Sequence, residues 1–156
     1  MTNFQIKSLQ EEAFTALFNL DDSTLQQQGI RRIIATAKPG FPCRVSLEDA
    51  EPGEEMLLLP YQHHRTSSPY QSAGPVFIRK AAKTAAPGIN EIPFMLQHRL
   101  LSLRGYDSNG MMKNALVAEG KSLAESLHHM FEAEEIAYIH IHNAKAGCYN
   151  CVVERV

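Results

Sequence analysis

The stretch Tyr138-Ile139-His140-Ile141-His142-Asn143-Ala144-Lys145-Ala146-Gly147-Cys148-Tyr149-Asn150-Cys151 carries the strongest structural signal in the chain. Apolar and polar residues alternate through its first half, and alternate residues of a strand share a face. Ala137, Ile139 and Ile141 therefore read as core, with Tyr138, His140 and His142 on the other face. Lys145-Ala146-Gly147 reads as the turn of a hairpin, with Gly147 in the left-handed position. Residues 148–156 form the returning strand.

Register decides what meets the histidines. Matching apolar to apolar sets Tyr149, Cys151 and Val153 with the isoleucines and needs an odd loop. Asn150 then lies opposite His142, and Cys148 is nearby on the same face. A two- or four-residue loop would reverse this and bring Cys151 beside His140.

Working outward, Arg99 to Tyr106 and Met111 to Ala118 flank Asp107-Ser108-Asn109-Gly110, a second hairpin signal. Ser122 to Glu132 reads as a helix, with Leu123, Leu127, Met130 and Phe131 on one face and Ser122 and Glu125 at capping-box spacing. Ser8 to Leu20 reads the same way: Ser8 and Glu11 cap it, and Leu9, Ala13, Ala16, Leu17 and Leu20 form the stripe. A short helix is expected from Ser23 to Gln28, capped by Asp22 and ended by Gly29. Another is expected from Ile92 to His98. Strands are expected at Ile30–Thr36, Cys43–Leu47, Glu55–Gln62 and Val76–Arg79. His63 to Pro75 reads as a long polar loop, of the kind that often carries function. The fold class is α+β: a single domain over residues 1–156, with a largely antiparallel sheet of about six to eight strands, two main helices and a C-terminal β-hairpin.

Composition bounds function. A chain of 156 residues with 44% hydrophobic and 21% charged residues is an ordinary globular size and mix. A formal net charge of −2 offers no global attraction to nucleic acid or anionic membrane. No apolar run approaches the ~20 residues that span a bilayer. The N-terminus lacks the apolar core of a signal peptide, and three cysteines fit reduced thiols, so a cytoplasmic protein is expected. No phosphate loop, nucleophile elbow, His-Glu-x-x-His or EF-hand pattern occurs.

Candidate site residues follow from chemistry. Two imidazoles on one strand face can share a metal ion, with a thiolate as third ligand, so His140 and His142 are the metal candidates and zinc the candidate ion. The sequence by itself requires no cofactor. Polar residues lining a sheet face are the simpler reading of the same pair. Cys148-x-x-Cys151 is not a zinc or redox pair, because on a continuous strand the two thiols face apart. Arg44, Arg79 and Arg104 lie in expected strands, where a guanidinium pairs with a carboxylate of the protein or of a ligand. Cys43 beside Arg44 reads as an activated thiol or, in register with Val45 and Leu47, as buried core.

The leading expectation is a small-anion or small-ligand site lined by Arg44, Arg79, His140, His142, Cys148 and Asn150. If it is catalytic, His140 or His142 is the general base. The alternatives are a non-catalytic homodimeric interaction protein and a metalloprotein.

A resemblance spans Ile6 to Arg155. Pro39-Gly40-Phe41-Pro42-Cys43-Arg44-Val45-Ser46-Leu47-Glu48-Asp49-Ala50, Gly53-Glu54, Ser72-Ala73-Gly74-Pro75, Leu100-Leu101-Ser102-Leu103-Arg104, His140-Ile141-His142-Asn143-Ala144 and Gly147-Cys148-Tyr149 resemble the bacterial family known as domain of unknown function 1203. The resemblance implies a small single-domain bacterial protein. It implies no activity, cofactor or catalytic residue.

Overall fold

A computed structural model describes all residues, Met1–Val156, and shows an α+β fold with eight strands in two sheets. The chain forms two compact units. The first comprises Met1–Lys7, Gln62–Gly74 and Ala86–Val156; the second comprises Ser8–Tyr61 and Pro75–Ala85.

The first unit is built on a five-stranded antiparallel sheet of β1 (Phe4–Lys7), β5 (Leu100–Tyr106), β6 (Met112–Glu119), β7 (Tyr138–Asn143) and β8 (Tyr149–Arg155), in the order β1-β8-β7-β5-β6. Both expected hairpins form, and the C-terminal one is central, so its backbone groups are paired on both sides. The sheet has one apolar face. Ile6, Leu101, Leu103, Ile139, Ile141, Cys151 and Val153 are fully buried. The helix α3 (Leu123–Met130) adds Leu123, Leu127 and Met130 to this core, near the expected bounds. Gly105 lets the helix approach. A Cβ there would stand 2.9 Å from Ile136 Cδ1 and 3.0 Å from Met130 Cε. Both are flexible side-chain ends, so Gly105→Ala is expected to cost about 1–3 kcal/mol through overpacking, read as a lower urea midpoint at unchanged m-value. β1 was not foreseen from the sequence: four residues are too few to show periodicity, and pairing along β8 supplies the order.

The second unit contains the 3-10 turns Glu11–Ala13 and Thr15–Asn19, the helix α1 (Asp22–Gln27) and the strand β2 (Arg31–Ile34). β2 pairs antiparallel with β3 (Glu55–His64), which is central to a three-stranded sheet completed by β4 (Ser72–Arg79). The chain passes from one unit to the other within β3 and within β4. Cys43, Val45, Leu47, Met56, Leu57, Val76 and Ile78 form the core here.

Three expectations are corrected in this region. Ser8–Leu20 is not a continuous helix. Its capping groups are engaged elsewhere: Thr84 N donates to Glu11 Oε2 at 2.6 Å, and Glu11 N donates to Thr84 Oγ1 at 2.9 Å. Phe14, outside the supposed stripe, is the buried anchor. Cys43–Leu47 is not a strand. Leu47 N donates back to Cys43 O at 3.1 Å, which closes a tight turn with Leu47 at φ 53°. Asp21 rather than Asp22 caps α1, its Oδ1 accepting from Thr24 N at 2.7 Å.

The polar loop is also shorter than His63–Pro75, since β3 runs through His64 and β4 begins at Ser72. Its tip is fastened to the hairpin turn at residues 107–110. Ser68 Oγ donates to Gly110 O at 2.7 Å, and Thr66 Oγ1 to Asn109 O at 3.3 Å. Phe94–Gln97 forms the short helix α2 expected nearby.

Candidate functional site

The polar face of β7 is a buried cluster of rings rather than a solvated surface. His140 is 4% exposed and His142 1%. Cross-strand pairing sets Ser102 opposite His142, Arg104 opposite His140 and Tyr106 opposite Tyr138. Residues directly opposite share a face. The histidine face of β5 and β7 therefore carries one cation, Arg104, among hydroxyls and imidazoles.

The turn after β7 differs from the expected one in an instructive way. Asn143 N donates to Cys148 O at 2.9 Å and Gly147 N to Asn143 O at 2.8 Å, which leaves residues 144–147 as an even loop, with Gly147 at φ 84°. Yet Ile139 still pairs with Val153 and Ile141 with Cys151, as apolar matching requires. A bulge reconciles the two: the register shifts between Ile141 and His142, and His142 then faces Tyr149. The extra residue is Asn150.

The placement of Asn150 opposite His142 is therefore corrected. Tyr149 takes that position and turns its ring toward the histidines, 5.1 Å from His140 and 5.7 Å from His142 between centroids. Asn150 is fully buried and donates to Asn143 Oδ1 at 3.0 Å. Cys151 is buried opposite Ile141, and Cys148 stays half-buried at the turn. None of the three cysteines forms a disulfide.

A third histidine completes the cluster. His63, near the end of β3, stacks on Tyr149 with centroids 5.0 Å apart and planes 6° from parallel. Its ring lies 5.1 Å from that of His142. One ring nitrogen from each of His63, His140 and His142 comes within 4.8 Å of the other two. Sequence reasoning placed His63 only in a loop. A ligand that comes from a strand far away in the chain leaves no local spacing to read.

The proton positions are set by what surrounds each ring. His142 Nδ1 lies 2.9 Å from Gly147 O, which only accepts, so Nδ1 carries the proton and Nε2 offers its lone pair. Arg104 Nη1 approaches that nitrogen at 3.5 Å. His64, next in β3, is held the same way: Nδ1 donates to Tyr70 O at 2.8 Å, and Nε2 accepts from the Tyr138 hydroxyl at 2.6 Å. The Nδ1 atoms of His63 and His140 are buried without a hydrogen-bond partner, as is Asn150 Oδ1. Unpaired buried polar atoms are uncommon and call for an explanation.

Burial pushes His140 down to about 3, with the neighbouring histidines and Arg104 adding to the effect. Burial likewise lowers His63 to about 4, aided by His64 and Arg104. Both are neutral at pH 7, the form that ligates metal. The same shifts predict acid sensitivity of the metal-free protein. The unfolded chain takes up protons near pH 6.5, whereas the folded chain resists until about pH 4 and 3. Stability is therefore unaffected above 6.5 and falls as the pH drops below it, by up to about 1.4 kcal/mol per pH unit for a fully shielded histidine. His140 dominates, because His63 is partly exposed and screened. Urea midpoints at pH 7.5 and 5.0 measure the loss, and His140→Gln is expected to flatten it.

Arg44 and Arg79 belong to the second unit. Arg44 is 1% exposed, donates to Pro42 O at 2.5 Å and lies over the Phe77 ring. Arg79 is engaged by Glu54 at 2.9 Å and Glu48 at 3.0 Å. Cys43 is buried, its Sγ accepting from Arg79 N at 3.4 Å.

A family model described as "Protein of unknown function (DUF1203)" matches residues 40–155. The chain belongs to the DUF1203 family. The match covers every residue of the histidine cluster of this DUF1203 protein. No curated protein and no solved structure matches it. No helix of this DUF1203 chain is long and apolar enough to cross a membrane.

Proposed function

We propose that this DUF1203 protein binds a divalent transition metal, of the zinc class, through His63, His140 and His142. The observation that carries the reading is the convergence of one nitrogen from each ring to within 4.8 Å. Zinc–nitrogen bonds of about 2.0–2.1 Å set tetrahedral ligand nitrogens ~3.4 Å apart, so the reading requires the three rings to close in on the ion as it binds. The hydrogen bond from His142 Nδ1 to Gly147 O is the outer-shell partner that typically orients a metal-bound imidazole. An all-imidazole donor set suits zinc, copper, iron or nickel rather than magnesium or calcium. Three protein ligands leave a coordination position for water or a substrate, the pattern of reactive rather than structural zinc sites. An odd number of cysteines, none of them in a disulfide, supports placing the protein in the cytoplasm.

Purified protein is tested by metal analysis and by melting with and without added Zn²⁺. The expected results are about one transition-metal ion per chain and a rise in melting temperature with Zn²⁺. No bound metal together with an unchanged melting temperature would sink the proposal.

A further inference from the structure

We infer that the exogenous ligand of this metal site is a small oxyanion, a carboxylate or a phosphate, gripped by Arg104. The inference rests on the metal reading above and adds the chemistry of what the metal presents.

Charge comes first. Three neutral imidazoles leave the two positive charges of the ion uncompensated, and Arg104 adds a third. Among the side chains lining the cleft on His63 and His140 the one acid is Glu154, and it is exposed to solvent rather than buried with the rings. A buried excess of positive charge is costly unless an anion completes it.

Hydrogen bonding comes second. Arg104 is half-buried and lies on the histidine face of the sheet, opposite His140. Its Nε donates to Ser102 Oγ at 3.4 Å and its Nη1 to His142 Nε2 at 3.5 Å. Both contacts are long for a guanidinium, whose five donors match an oxyanion edge in a bidentate fork. A metal on His142 Nε2 claims the lone pair that Arg104 now approaches. The guanidinium would then lose that acceptor and keep only the long contact to Ser102 Oγ, leaving donors free for an anion beside His142.

Access comes third. A cleft of about 570 Å³ opens on His63 and His140, with Arg65 and Arg155 on its wall and Glu154 as the one acid. That volume admits a small organic acid or phosphate ester. Arg65 adds attraction at the rim, while Arg155 is occupied by Ile136 O and Ala133 O.

Cobalt(II) makes the site visible. The protein is loaded with Co²⁺ in a buffer free of coordinating anions, and acetate and inorganic phosphate are titrated in separately while the visible absorption is followed. Calorimetry repeats both titrations on metal-free protein. One or both anions are expected to change the Co²⁺ spectrum saturably, and to bind metal-free protein at least about tenfold more weakly. Which anion acts separates the carboxylate class from the phosphate class. Arg104→Gln is expected to keep the Co²⁺ spectrum and weaken anion binding by about tenfold or more, with partial recovery in Arg104→Lys. Three results would overturn the inference: no anion response from loaded protein, equal binding without metal, or wild-type anion affinity in Arg104→Gln. Failure of Co²⁺ to bind at all would remove the metal reading and this inference together. A normal Co²⁺ spectrum without anion response removes the inference alone.

Discussion

His63→Ala is expected to weaken Zn²⁺ binding by at least about 100-fold and to abolish the metal-induced rise in melting temperature. Loss of an outer-shell partner alone typically costs 10–100-fold in metal affinity, and His63 is proposed as a direct ligand. The two remaining imidazoles, His140 and His142, both come from β7 and hold the ion from one side only. Zinc at about 100 times its dissociation constant stabilises a protein by about 2.7 kcal/mol, or about 5–10 °C at this chain length. The substitution should remove that increment while changing the metal-free protein little, since His63 is only partly buried and its Nδ1 has no partner to lose. Competition against a chromophoric chelator gives the affinity, and melting with and without Zn²⁺ gives the shift. His129→Ala is the control: His129 is exposed, pairs only with Glu132 and should bind as wild type. Wild-type zinc affinity in His63→Ala would place the ion elsewhere or nowhere.

Gly120→Ala is expected to be the most destabilising single-methyl change in the first unit, costing more than about 4 kcal/mol or preventing folding. A Cβ at Gly120 would lie 1.9 Å from Leu96 O and 2.8 Å from Gln97 C. These are backbone atoms of the α2 segment, so no rotamer change relieves the overlap. The turn has little freedom to retreat, because Gly120 N donates to Arg99 O at 2.8 Å. Gly53→Ala is the useful contrast. Gly53 has φ 96° but nothing within 4 Å of its Cβ position, so only backbone strain of about 1–2 kcal/mol applies. Soluble yield and urea midpoints of the two variants separate steric overlap from strain. Comparable stability in both would show that the α2 backbone yields.

The pattern of success along the chain has a physical basis. The hairpins at residues 100–119 and 138–155 were legible because alternation and turn chemistry are local properties, and both lie within a sheet that rewards them. The helix at Leu123–Met130 was legible for the same reason, as an apolar stripe at helical spacing. Ser8–Leu20 shows the limit of such local signals. Its capping residues and apolar spacing were in place, but Thr84 supplied better partners for Glu11 than a helical turn would. Cys43–Leu47 alternates like a strand, but its pairing with β4 stops at a single bridge, Cys43 to Phe77 with Arg44 N donating to Phe77 O at 3.1 Å, and the chain then closes a turn on itself.

At the candidate site, alternation alone determined that His140 and His142 share a face opposite Ile139 and Ile141, and apolar matching determined that Cys151 and Val153 return opposite those isoleucines. The identity of the residue beside His142 did not follow. It depends on a bulge at Asn150, where an even loop and an apolar register are both kept by leaving one residue unpaired. The arrival of His63 depended on the tertiary fold entirely, since a strand more than seventy residues earlier in the chain supplies it. Spacing within a strand is local and can be read from the amino acids in order. A third ligand, a stacked tyrosine and a neighbouring guanidinium come together only when the strands pair.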